Sequence, residues 1–104
     1  MANTYSQMYV QMVFAVKGRQ SLIQRRWKDE LYKYITGILR NKGQKLLAIN
    51  GMPDHIHIFI GQKPNVATSS LVKDIKVASD EFINDKGWVR GKFAWQEGAG
   101  VFTY

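Results

Sequence analysis

The stretch Pro53-Asp54-His55-Ile56-His57-Ile58-Phe59-Ile60 alternates isoleucine with other residues, and this period of two is typical of a β-strand. Such a strand places its isoleucines on one face, which suits a protein core. The opposite face carries His55, His57 and Phe59. Side chains two residues apart on a strand lie roughly 6–7 Å apart, so the two imidazoles can converge on one divalent ion. Two half-buried histidines with only hydrogen-bonding roles are the alternative.

Patterns on either side of this stretch predict a sheet and two helices around it. Residues 8–16 are almost continuously apolar, which is typical of a central strand. Between Leu22 and Leu39, apolar residues recur at three- and four-residue spacing, which predicts an amphipathic helix. Ser21 and Gln24 have the spacing of a capping box at its start, and residues 41–43 supply its end.

The remaining predicted elements are a strand at 45–50, a turn at 51–54, a second helix from 65 or 69–70 to 85–87, a strand at 91–96 and a short last strand at 101–104. The order is βαββαβ with an added terminal strand, which is the split-βαβ or ferredoxin-like arrangement. We therefore predict an α+β sandwich with an antiparallel sheet and both helices on one face. The other face of the sheet is then free to bind a ligand.

Length and composition restrict the class of protein. The chain has 104 residues, enough for one domain, and 45% of them are hydrophobic, which suits a folded globule. It has no cysteine, which excludes disulfides and thiolate metal sites. Neither a membrane span nor a signal peptide is evident, so we expect a cytoplasmic protein without a membrane partner. The formal charge of +7 favours a polyanionic partner.

The segment Asn50-Gly51-Met52-Pro53-Asp54-His55-Ile56-His57 resembles the His-hydrophobe-His motif of HUH endonucleases. More narrowly, it is similar to the small single-tyrosine transposases of bacterial insertion sequences, the insertion-sequence-200-like group. Residues 27–31, 34–38, 71–76 and 93–98 agree with this group in family order. The resemblance runs from about Tyr9 to the last residue. It implies a DNA transposase that binds single-stranded DNA with hairpins, cleaves and rejoins it, and works as a homodimer.

The resemblance also implies a mechanism and its residues. In the family, two histidines and a glutamine bind magnesium or manganese, and a tyrosine attacks the DNA to form a 5′-phosphotyrosine. His55 and His57 match the metal-binding histidines. The family's tyrosine lies on a helix after the last strand, and the single domain of residues 1–104 is expected to lack that helix. Tyr104 is then expected to be a strand residue, and it is the one candidate left for the nucleophile within the chain. Without the tyrosine helix, the chain alone should not nick DNA.

Three residues are candidate DNA contacts. Lys73 and Lys76 lie on the second predicted helix, where the family resemblance suggests phosphate contacts, and Phe59 could stack on a base. Ordinary solvated lysines, and a packing role for Phe59 at a dimer interface, are the alternatives.

Other functions share parts of this pattern. An RNA-recognition-like domain has the same order of elements, but it displays stacking aromatics on its central strands. A truncated transposase could act as a DNA-binding regulator without cleavage. A metal-dependent hydrolase that uses water is a third alternative, although two ligands are too few and Asp54 suits a hairpin cap better than a metal site.

Overall fold

The computed structural model describes residues 7–104. The strands are β1 (Met8–Ala15), β2 (Lys45–Met52), β3 (His55–Gln62) and β4 (Gly100–Thr103), and the helices are α1 (Arg25–Asn41) and α2 (Thr68–Lys86). The sheet order is β2-β3-β1-β4, and every neighbouring pair is antiparallel. This arrangement confirms the predicted α+β, ferredoxin-like fold.

The alternation in β3 separates the core from the opposite face of the sheet. Ile56, Ile58 and Ile60 are completely buried and lie in register with buried residues of β1. Both helices cover this side with buried residues at three- and four-residue spacing: Trp27, Leu31, Ile35 and Leu39 from α1, and Leu71, Ile75, Ser79 and Ile83 from α2. Because α1 and α2 both pack here, they leave uncovered the face that carries His55, His57 and Phe59. We call it the uncovered face.

The first helix begins later than the capping box predicts. Its N-cap is Gln24, whose backbone is extended and whose side chain makes no capping hydrogen bond. The backbone N–H of Ile23, which is buried, donates to the carbonyl of Pro53 at 2.9 Å. The prediction of a cap at Ser21 was therefore wrong, because contact with the β2–β3 turn holds the chain extended up to Gln24.

Residues 91–96 do not form the predicted strand. They contribute one isolated bridge, between Val16 and Trp95. Phe93 is buried, and its N–H and C=O bond to the side-chain amide of Asn84 at 2.7 and 2.9 Å. Alternation correctly predicted which side chains are buried, but the backbone is held largely by side chains. The fourth strand of the sheet is β4, at the place where the short last strand was predicted.

The second helix ends where the sequence predicts. Gly87 follows Lys86 with a left-handed φ of 66°, which glycine adopts without steric cost, and closes α2. Its first residue is Thr68, between the two predicted starts. Within residues 7–104, neither helix has the combination of length and apolar sequence needed to cross a membrane.

Candidate metal and nucleic-acid site

The two histidines project side by side from the uncovered face. Their ring centroids lie 5.0 Å apart, and the ring planes meet at 70°. Both side chains are half-buried, so the sheet holds them in place while solvent still reaches them. Two imidazoles at this separation can each donate one nitrogen to a shared divalent ion.

The ring of His55 is held by a carboxylate. Its Nδ1 lies 2.7 Å from Oδ1 of Asp54, and since a carboxylate only accepts, Nδ1 donates the proton. The second oxygen, Oδ2, accepts from Nε and Nη2 of Arg19, each at 3.1 Å. The hydrogen bond from His55, followed by the contact with Arg19, holds the pKa of Asp54 below its usual value of 3.8. The Nε2 lone pair of His55 is therefore left for a ligand.

Arg19 reaches Asp54 from an unusual backbone conformation. Within residues 7–104 it is the only non-glycine residue with a positive φ, at 56°. A left-handed backbone at such a residue costs about 1–2 kcal/mol. Strain of this kind tends to persist where surrounding contacts hold the residue, and here the guanidinium is fixed on the carboxylate that orients His55.

The ring of His57 is held by Gln11 of β1. The Nε2 of Gln11 lies 2.7 Å from Nδ1 of His57, and a carboxamide nitrogen can only donate, so Nδ1 accepts in this arrangement. Gln11 was not among the predicted site residues, because residues 8–16 were interpreted as core. One signal in the sequence could have identified it. Gln11 is a polar residue inside an apolar run, and the alternation of side chains along a strand places it on the uncovered face.

A cleft of about 480 Å³ opens beside His57. Its floor includes Gln11, and its wall is formed by the loop at 96–100 together with Phe102 and Tyr104. The wall is fixed from behind by Lys76, whose Nζ donates to the backbone carbonyls of that loop. The cleft therefore offers an open space next to His57.

The two candidate lysines are differently placed. Lys76 donates to the carbonyls of Gln96 at 2.7 Å and Gly98 at 3.0 Å, whereas Lys73 is exposed on the surface of α2. Both belong to the helix layer, on the opposite side of the sheet from Phe59. The structure therefore does not bring the three predicted DNA contacts onto one surface.

Aromatic side chains surround Phe59 on the uncovered face. Its ring stacks against Tyr9 with centroids 6.2 Å apart and meets Tyr104 edge-on at 6.0 Å. Tyr104 follows β4 directly, and its N–H donates to the carbonyl of Tyr9 at 2.9 Å. Its hydroxyl lies 3.5 Å from Oε1 of Gln11. Tyr104 thus borders the cleft, and the residue is 74% exposed.

The histidine pair fits half of a divalent-metal site. In residues 7–104 no group of three or more histidine, cysteine or acidic side chains is placed to hold an ion. His55 carries its ring proton on Nδ1 and therefore has Nε2 free for an ion. In His57, Nδ1 accepts from Gln11, so the proton of the neutral ring lies on Nε2 in this arrangement. An ion bound at the histidine pair would complete its shell with water, phosphate oxygens or a further oxygen ligand, as magnesium commonly does.

The sequence matches known transposases. Residues 4–104 match the profile of the family described as "Transposase IS200 like". The ISDra2 transposase TnpA of Deinococcus radiodurans is 27% identical over 73 residues, which make up 70% of this chain and 52% of that protein. The chain thus spans about half the length of this curated relative.

Two solved structures share the fold. A crystal structure from Deinococcus radiodurans R1, of a protein assigned as a transposase, superposes with a TM-score of 0.87 at 22% identity, over 100% of this chain and 84% of that one. A REP-associated tyrosine transposase bound to a REP hairpin superposes with a TM-score of 0.68 at 17% identity, over 93% and 56%. These identities establish only the fold, but the family profile covers nearly the whole sequence, and the chain therefore belongs to the IS200-like transposase family.

Proposed function

We propose that this chain forms the body of a DNA transposase that binds hairpin-containing single-stranded DNA and presents its backbone to His55 and His57. The observation that carries the proposal is the histidine pair on the uncovered face of the central strand, with both rings held through Nδ1. Family membership supports DNA cleavage and joining as the reaction. The relative bound to a REP hairpin supports hairpin DNA as the ligand.

In this proposal, His55 and His57 would hold magnesium or manganese. When bound, the ion polarises the scissile phosphate. Asp54 keeps the ring of His55 in place, and Gln11 does the same for His57. The neighbouring cleft holds the nucleotide beside them. A tyrosine hydroxyl would lose its proton and form a bond to phosphorus as the bond from phosphorus to the 3′ oxygen breaks. That oxygen would take up a proton, and the resulting 3′ hydroxyl could reverse the step on another strand.

We do not assign the nucleophile to Tyr104. Its hydroxyl lies 3.5 Å from the Gln11 carboxamide, and its backbone continues the pairing of β4 with β1. We expect residues 1–104 alone to bind hairpin DNA without forming a covalent adduct.

Contacts with DNA outside the histidine pair would come from charge and stacking. Phe59 and its aromatic neighbours offer ring faces to an unpaired base, and such stacking is worth about 1–3 kcal/mol per base. Lys73 would contact phosphate through its exposed ammonium. Lys76 would use the one ammonium proton left after its two carbonyl contacts.

We also propose that two copies of the chain act as a homodimer. The strand β4 lies at an edge of the sheet and exposes Val101 and Phe102, and an apolar edge strand is a template for pairing with another chain. Sedimentation at increasing protein concentration tests this. A monomer at every concentration would contradict it.

The main test combines two gels on labelled single-stranded DNA with and without a hairpin, in magnesium or manganese. A native gel measures binding, and a denaturing gel that keeps protein-linked DNA measures the adduct. A shift specific to hairpin DNA without an adduct is the expected result. An adduct that disappears in Tyr104→Phe would place the nucleophile at Tyr104 and overturn that part of the proposal. Equal binding to DNA with and without the hairpin would overturn hairpin recognition.

A non-catalytic DNA- or RNA-binding module is the second candidate function. The aromatic group of Phe59, Tyr9 and Tyr104 favours it, because stacking surfaces bind single strands without any metal. Competition by an RNA hairpin of the same sequence separates the two. Preference for DNA supports the transposase body, whereas equal or tighter RNA binding supports the non-catalytic binding module.

A further inference from the structure

The contact between Gln11 and His57 allows two hydrogen-bonding arrangements. In the structure, the Gln11 amide nitrogen donates to Nδ1, so the ring proton of neutral His57 lies on Nε2. If the carboxamide turns by about 180°, its oxygen accepts from a protonated Nδ1 and the Nε2 lone pair becomes free. Only the second arrangement lets His57 ligate an ion through Nε2.

His55 has no such choice. The Asp54 carboxylate can only accept, so it fixes the proton of His55 on Nδ1, and Arg19 holds the carboxylate in place. The two neighbouring rings are therefore held by partners of different kinds. One is locked with Nε2 free, and the other depends on the orientation of a carboxamide.

The surroundings of Gln11 tolerate both orientations. Its Oε1 lies 3.5 Å from the hydroxyl of Tyr104, and a hydroxyl group both donates and accepts. After the turn, the amide nitrogen would face that hydroxyl as a donor. The turn therefore exchanges one set of partners for another and leaves no polar atom without one.

We propose that Gln11 is a positioning residue that sets the ring tautomer of His57, so that the orientation of its carboxamide decides whether one histidine or two can hold the ion. This inference rests on the proposed metal site, but the tautomer itself is a property of the metal-free protein. Groups that orient metal-binding histidines typically change metal affinity by 10- to 100-fold when they are replaced.

Nitrogen NMR of the metal-free protein measures the tautomers directly. His55 and His57 are the only histidines in the chain, so one substitution assigns both sets of ring signals. At about pH 8, where an ordinary imidazole is neutral, we expect the proton of His55 on Nδ1 and that of His57 on Nε2. In Gln11→Glu the carboxylate only accepts, so the His57 proton should move to Nδ1. In Gln11→Met the hydrogen bond to Nδ1 is lost, so His57 should show a mixture of its two ring tautomers.

Binding of Mn²⁺ to the same variants, measured by electron paramagnetic resonance, tests the consequence. We expect Gln11→Glu to bind Mn²⁺ about tenfold more tightly than the unchanged protein and Gln11→Met about tenfold more weakly. Asn50→Asp is the control for added charge, since Asn50 lies in register with His57 on β2. It should leave the tautomer unchanged. Thermal unfolding confirms that each variant is folded.

The outcomes separate this inference from the proposed function. An unchanged His57 tautomer in both Gln11 variants would overturn the inference, and so would Mn²⁺ affinity that is unchanged in both. If the tautomer moves as expected but neither the unchanged protein nor Gln11→Glu binds Mn²⁺, the proposed metal site fails and the positioning role of Gln11 stands.

Discussion

Asp54 orients His55 through a 2.7 Å contact between Oδ1 and Nδ1, while Arg19 occupies the other carboxylate oxygen at 3.1 Å. We expect Asp54→Ala to weaken Mn²⁺ binding by about 10- to 100-fold, because His55 loses the group that fixes its ring and tautomer. Calorimetric titration measures the affinity. Asp74→Ala is the matched control, since Asp74 pairs with Lys42 on the helix layer. Equal losses in the two variants would show that only net charge matters.

The same carboxylate gives the free energy of unfolding a defined pH dependence. The pKa of Asp54 in the folded protein lies below 3.8, so the folded state releases the proton more readily than the unfolded state. Its stabilising contribution is therefore complete above pH 3.8 and is lost as the pH falls through the folded pKa. Urea unfolding in acid should show a steeper loss for the unchanged protein than for Asp54→Asn. If the free energy of unfolding of the two proteins fell in parallel as the pH decreased, the predicted contribution of Asp54 would be contradicted.

Ionisation of Asp80 should affect the free energy of unfolding in the opposite direction from that of Asp54. Burial raises its pKa above 3.8, although the N–H of Trp95 at 3.2 Å and two lysines act against the shift. The folded state holds the proton more tightly, so stability falls as the pH rises from 3.8 through the folded pKa. Asp80→Asn keeps an oxygen acceptor for Trp95 and buries no charge. We expect a higher melting temperature at neutral pH and a difference that vanishes in strong acid. A lower melting temperature at neutral pH would contradict the prediction.

Gly51 is required by the close approach of β2 and β3. A Cβ atom there would lie 2.7 Å from Cα of Ile56 and would also meet the carbonyl of His55, and backbone atoms cannot move aside as side chains do. We expect Gly51→Ala to lower the free energy of unfolding by about 1–3 kcal/mol. Gly37, inside α1, has open space around its Cβ position, so Gly37→Ala should raise stability by about 0.5–1 kcal/mol. Urea unfolding measures the stability of both variants. A Gly51→Ala variant as stable as the unchanged protein would disprove the steric argument.

Lys76 is expected to hold the wall of the cleft. Lys76→Ala removes two hydrogen bonds to the loop at 96–100, so we expect a loss of about 1 kcal/mol and faster amide hydrogen exchange in that loop. Lys73→Ala, at an exposed site on the same helix, should change stability by less than about 0.5 kcal/mol. An unchanged amide exchange rate at residues 96–100 in Lys76→Ala would contradict the proposal that Lys76 holds this loop in place.

Salt dependence of DNA binding separates positioning from phosphate contact for these lysines. Loss of one phosphate contact reduces the slope of log affinity against log salt by about 1. If Lys73 contacts phosphate, Lys73→Ala should show this reduction. The proposed phosphate contact of Lys76 predicts the same reduction in Lys76→Ala. Weaker binding with an unchanged slope would show that Lys76 only positions the loop.

The sequence by itself determined the face on which each side chain of β3 lies and the presence of two helices. Alternation along a strand is a local property, so the sequence alone predicts that His55, His57 and Phe59 lie together on one face, independently of any tertiary contact. The apolar spacing in α1 and the glycine after α2 acted in the same local way. Together, these local patterns predicted the ferredoxin-like arrangement and the pair of candidate metal ligands.

Only the tertiary structure decided how those ligands are held. Gln11 and His57 are 46 positions apart in the chain, and Arg19 and Asp54 are 35 apart. Tertiary contacts also decided the conformation of residues 91–96. Their side chains alternate as in a strand, but their backbone groups form hydrogen bonds mainly with side chains of other segments. A side-chain pattern records which face is buried, because burial acts on each residue separately. It does not record the hydrogen-bonding partner, because that partner is brought close only when distant segments pack together.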